Sequence, residues 1–113
     1  MPQLLPMIPG DGSYEFSTQL NGVSYRIGVR WNARDSAWYL DFYDAQGAPI
    51  VNGLKVVLGT HIGRRVAHPL FRDGVLVARD LSGQGKPPGF YDLGARVALL
   101  YFTAFEVAAV IRG

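Results

Sequence analysis

The chain has 113 residues with 14 Gly, 7 Pro and no Cys; 49% are hydrophobic and 18% charged. That length and apolar content suit one small domain with its own core, and the lack of Cys excludes a disulfide scaffold, a Cys-based zinc site and a cysteine nucleophile. The net charge is only +2, weak grounds for nucleic-acid binding even at pI 9.2. Gly and Pro make up nearly a fifth of the residues, which favours turns and short strands over long helices.

Residues 1–13 read as an extended N-terminal arm: Pro2, Pro6 and Pro9 remove backbone donors, and Gly10-Asp11-Gly12 is a turn signal. From Tyr14 a single β-rich domain follows to residue 113. Tyr14, Phe16, Thr18 and Leu20 alternate with Glu15, Ser17 and Gln19, a period of two that predicts a strand. Asn21-Gly22 suits the positive φ angles of a type I′ hairpin, and Val23, Tyr25, Ile27, Val29 and Trp31 then face away from Ser24, Arg26 and Arg30. A turn over 32–37 leads to a strand in which Trp38, Leu40 and Phe42 share one face. After Asp44–Gly47 a fourth strand is predicted over Pro49–Leu58, with Gly53 as a bulge or break.

Gly59–Phe71 reads as a loop with one helical turn, and Val75–Arg79 as a strand. A glycine-rich connection over 80–89 precedes a last strand over Ala95–Thr103, apolar on both faces and therefore central or covered. The tail, 104–113, fits a strand and a short helix equally well, and it can serve as a core strand or as an interface. The whole predicts a mainly β fold: a twisted antiparallel meander of six to eight strands, forming a partly closed barrel or a sandwich.

The start of the chain has no basic n-region, and no apolar run nears the roughly 20 residues of a membrane-spanning helix. The charge is unevenly spread. From Lys55 to Arg72 there are four bases, two histidines and no acid. This segment reads either as a solvated loop or as a surface for an acidic partner or phosphates.

No catalytic apparatus is visible. His61 and His68 have no neighbouring acid or Cys to complete a metal site. Asp80, Ser82 and Gln84 imitate the start of a calcium loop, but its twelfth position is Tyr91 where a Glu is needed. Gly85-Lys86 fails as a P-loop, because Asp80 stands where the first Gly belongs and Pro87 where Ser or Thr belongs. Asp41 and Asp44 are the nearest approach to a carboxylate pair, and no Ser sits in a nucleophile elbow. The aromatics interleaved with Arg26 and Arg30 lie on the opposite strand face, which favours core or interface aromatics over a base-stacking platform.

The stretch from Tyr25 through the Trp38-Tyr-Leu-Asp-Phe-Tyr-Asp44 strand to Gly53 resembles the central signature of the baseplate plug proteins of contractile-tailed phages and prophages. Asp80-Leu-Ser-Gly-Gln-Gly, Pro87-Pro88, Asp92-Leu-Gly-Ala-Arg-Val and Leu99-Leu-Tyr101 match the family's closing pattern, so the resemblance covers about residues 14–102. The tail from Phe102 is longer and more apolar than the family pattern. The resemblance implies a non-enzymatic structural part without cofactor or metal, located in the virion tail baseplate and assembled in the host cytoplasm. Such a part would plug or cap the hub or tube end through contacts with hub and tail tube proteins, with a homo-oligomer in the tail left open. Candidate contacts are Arg64, Arg65 and Arg72, offering charge-assisted bonds, and Phe105 and Ile111, offering apolar burial. The rival reading is a small β-domain that binds nucleic acid through the basic middle loop.

Overall fold

A computed structural model describes residues 3–59 and 61–103. Among these, the elements are β1 (Gln3–Leu4), β2 (Ser13–Leu20), β3 (Val23–Asn32), β4 (Ala37–Asp44), β5 (Pro49–Lys55), α1 (Pro69–Arg72), β6 (Gly74–Asp80) and β7 (Val97–Thr103). They form two antiparallel sheets, one ordered β2-β3-β4-β5 and the other β1-β7-β6. No strand ladder joins the sheets among the described residues, so the arrangement is a sandwich and not a closed barrel.

The four-stranded sheet follows from the local pattern. Asn21 and Gly22 take φ of 56° and 80°, the paired left-handed conformation that a type I′ turn needs. The β2–β3 register then runs unbroken from Leu20↔Val23 to Ser13↔Arg30. Tyr25, Ile27 and Val29 are buried while Arg26 and Arg30 are exposed, as the alternation requires. On β4, Trp38, Leu40 and Phe42 are all 0% exposed. Such side chains each contribute about 1.5–3 kcal/mol relative to exposure.

Two strand ends differ from the sequence reading. The fourth strand stops at Lys55 and not at Leu58, because the chain leaves the first sheet there. Val56 N–H still donates to Trp38 O, but Leu58 bridges to Ala78 of the other sheet. The register shifts twice between β4 and β5, with Gly53 at φ 77°, so this glycine sits in a bulge. The last strand begins at Val97 and not at Ala95, since Ala95 N–H and Val97 N–H both turn back to Asp92 O.

Facing residues of the two sheets share one core, in which Leu76, Val97, Leu99 and Tyr101 meet Ile27, Trp38, Leu40 and Phe42. Phe71 of α1 enters edge-on to Phe42, with ring centroids 5.1 Å apart. The N-terminal segment is stitched along the open side. β1 pairs with β7, Leu5 N–H donates to Leu99 O, and Leu5 is 1% exposed. Gln3 Nε2 donates to Thr18 Oγ1 at 3.1 Å and Ile8 N–H to Tyr14 Oη at 2.9 Å, which ties this segment to β2 of the other sheet.

Buried Tyr101 donates its hydroxyl to Leu70 O at 2.6 Å, linking β7 to α1. Burial pushes the phenol up to about 12. Its folded value exceeds its unfolded value near 10, so its stabilisation is complete below about pH 10 and lost as pH rises toward 12. Tyr101→Phe leaves Leu70 O without this donor and should cost about 1–3 kcal/mol in urea unfolding at neutral pH. The same variant should flatten the alkaline decline between about pH 10 and 12. A wild-type midpoint at neutral pH would contradict the first expectation.

Candidate interaction surface

The basic segment runs from the end of β5 through a loop to α1. Both His61 ring nitrogens are used: Leu76 N–H of β6 donates to Nδ1 at 3.1 Å, and Nε2 faces Phe71 O at 3.0 Å. Those two partners call for the Nε2–H tautomer. Arg64 N–H donates to His61 O and Val66 N–H to Gly63 O, two successive turns that bring Arg64 and Arg65 to the exposed tip. Gly63 is buried beneath them, and a Cβ there would lie 2.1 Å from Cδ1 of Phe71. Only glycine lets the loop approach the core ring this closely.

Between this loop and the end of β5 runs a groove of about 330 Å³. Leu54, Val57, Ile62 and Val66 supply its apolar lining, with Lys55, His61, Arg64 and Arg65 around them. Lys55 is already 3.1 Å from Asp35, whereas Arg64 and Arg65 enter no ion pair among the described residues. The structure thus brings Arg64 and Arg65 together. Exposed Arg72, also without an ion pair, sits at the end of α1 and does not line the groove. Phe105 and Ile111 lie outside the described residues.

The other candidate positions have structural work. His68 caps α1, its Nδ1 accepting from Leu70 N–H at 3.1 Å, and meets the Tyr25 ring edge-on. Asp41 on the outer face of β4 accepts from Arg30 Nε at 3.0 Å and from Gly53 N–H at 2.8 Å, so it holds the bulge. Among the described residues no three His, Cys, Asp or Glu are grouped as a metal site, and no helix is long and apolar enough to cross a membrane.

The calcium-like segment is organised by an arginine. Asp80 Oδ1 accepts from Ser82 N–H and Ser82 Oγ, and Oδ2 from Gly85 N–H and Arg96 Nη1. Arg96 also reaches Asp92 Oδ2 at 3.1 Å and the carbonyls of Lys86 and Pro87 at 3.0 Å each. The Asp80 and Arg96 side chains are 6% and 17% exposed. Hydrogen bonds from Ser82, then from Gly85, and the charge of Arg96 hold Asp80 down to about 2. Asp92 is lowered chiefly by Gly89 N–H and then by Arg96. Nothing in the spacing of Asp80 and Arg96 announced this clamp, although both residues stand in the closing pattern.

The loop so held covers the tryptophans. Trp38 Nε1 donates to Gly89 O at 2.9 Å, and Phe90 stacks on Trp38 at 6.0 Å and meets Trp31 edge-on at 5.7 Å. These aromatics are therefore core and loop anchors, as the alternation implied.

The family model described as cyanophage baseplate Pam3 plug gp18 matches residues 3–104. The chain belongs to this family. No curated protein matches it. The matched span of this plug-family chain takes in every described element from β1 to β7, together with the Arg64–Arg65 loop and the Arg96 clamp.

Because the folded value of Asp80 lies below its unfolded value, its stabilisation is complete above about pH 4 and lost as pH falls toward 2. Asp80→Asn should flatten that acid decline. Arg96→Gln should speed hydrogen exchange of the Gly85 and Gly89 amides at neutral pH, because the carboxylates that hold them lose their common counterion. Excess calcium should leave the melting temperature unchanged, since both Asp80 oxygens are occupied. A calcium-dependent rise would contradict this assignment.

Proposed function

We propose that the chain is a non-enzymatic structural part of a contractile-tail baseplate, plugging or capping the hub or tube end through protein–protein contacts. The family match over residues 3–104 carries this reading, because it spans the whole described sandwich and not one motif within it. Its partners are other hub and tail tube proteins, met as the tail assembles in the host cytoplasm. Two observations support a surface built for neighbours. Arg64 and Arg65 stand exposed without counterions among the described residues, on a loop anchored by buried groups, and Arg72 stands likewise on α1. Leu4, Ile8, Leu81 and Tyr91 are large apolar side chains left open to solvent. Exposed guanidinium groups and large apolar side chains are the usual material of an interface.

Particles made without this chain, and complemented with the wild type, provide the test. The wild-type chain should appear in purified baseplates by mass spectrometry, and its omission should leave electron micrographs with an open or unassembled hub end. Normal tails lacking the chain altogether would overturn the proposal.

A further inference from the structure

We infer that the groove between the end of β5 and the 61–66 loop binds an extended acidic segment of a neighbouring protein, with an aliphatic side chain seated on its floor. That the neighbour is a baseplate protein rests on the function proposed above; the acidic and aliphatic character rests on the groove alone.

The floor comes from Leu54, Val57, Ile62 and Val66, and Val57 remains 37% exposed. Covering these side chains favours binding by about 25 cal/mol per Å² of apolar area removed from water. No acid lines the groove among the described residues, and Lys55 already has Asp35, so the charge left to satisfy is that of Arg64 and Arg65. Two adjacent guanidiniums above aliphatic groups complement carboxylates flanking an aliphatic residue. They are a poor match for a nucleic-acid strand, because the ring among the described lining residues, that of His61, is tied to Phe71 O and Leu76 N–H, and the floor offers nothing to a sugar–phosphate chain.

The arginines also start from a fixed base. His61 uses both ring nitrogens within the fold, and Gly63 is pressed against Phe71, so the loop holds its shape before a partner arrives. Binding then orders little beyond the two arginine side chains.

The test uses the full chain and a fluorescein-labelled peptide in which Asp and Glu alternate with Leu, read by fluorescence anisotropy at low and high salt. Saturable binding is expected, weakening at high salt. Arg64→Glu with Arg65→Glu should weaken it at least tenfold while keeping the wild-type urea midpoint, since both residues are exposed. Val57→Ser should weaken it severalfold. A peptide with Ser replacing each Leu should bind correspondingly less, and a single-stranded oligonucleotide of equal charge should not compete. No saturable binding, equal binding of the Ser peptide, or an unaffected double arginine variant would overturn the inference. Tighter binding of the oligonucleotide would assign the patch to nucleic acid instead. Peptide binding by a chain absent from purified baseplates would sink the proposed function and leave the groove's chemistry standing; the reverse pair of results would do the opposite.

Discussion

Arg96 joins two carboxylates, Asp80 and Asp92, to two main-chain carbonyls, those of Lys86 and Pro87, within one cluster. The connection from β6 to β7 is long and rich in glycine, and an unconstrained loop of that composition would favour an open ensemble. The guanidinium supplies its planar fork of donors where the loop needs them, and the carboxylates in turn collect the amides of Ser82, Gly85 and Gly89. With the loop so shaped, Gly89 O meets the indole of Trp38 and Phe90 lies over both tryptophans. One end of the sandwich closes through this chain of contacts, and the buried indole N–H obtains its acceptor there.

At the edge of the three-stranded sheet a second polar arrangement solves a different problem. The outer edge of β6 would expose unpaired main-chain groups, an invitation to edge-to-edge association. Gly59 N–H and Ile62 N–H donate to Ala78 O and Leu76 O, and His61 Nδ1 takes Leu76 N–H. The segment that covers the edge is also the one that presents Arg64 and Arg65. Edge protection and the proposed interaction surface thus share one piece of chain.

The two outward sheet faces differ in chemistry. The four-stranded sheet shows paired charges, Glu15 with Arg26 and Arg30 with Asp41, and Asp35 meets Lys55 at its rim. Exposed pairs of this kind add little stability, but they keep that face soluble. On the three-stranded sheet Leu4, Leu100 and Val77 form one register row, with Phe102 and Val75 beside it. Exposed Arg79 follows Val75 and Val77 on the same face of β6, so this face is mainly but not wholly apolar.

The hairpins were legible from the residues themselves. Alternation from Tyr14 to Trp31 assigns each side chain a face, and Asn21-Gly22 specifies the turn, because strand period and turn geometry depend on neighbours only a few residues away. Gly53 likewise announced a bulge or a break, and the structure makes it a bulge; the apolar faces of β7 announced a central or covered strand, and it is central. The residues alone also placed Arg64 and Arg65 in an acid-free loop, and their resemblance to plug proteins anticipated the family. The tertiary structure alone decided that Arg96 is the partner of Asp80, that Trp38 bonds Gly89, and that Leu54 and Val57 floor a groove beneath the loop arginines. Those pairings join residues distant in sequence, and no local period or spacing encodes them. They exist because two sheets must bury their apolar faces together, and the polar groups carried along must find partners where the packing leaves them.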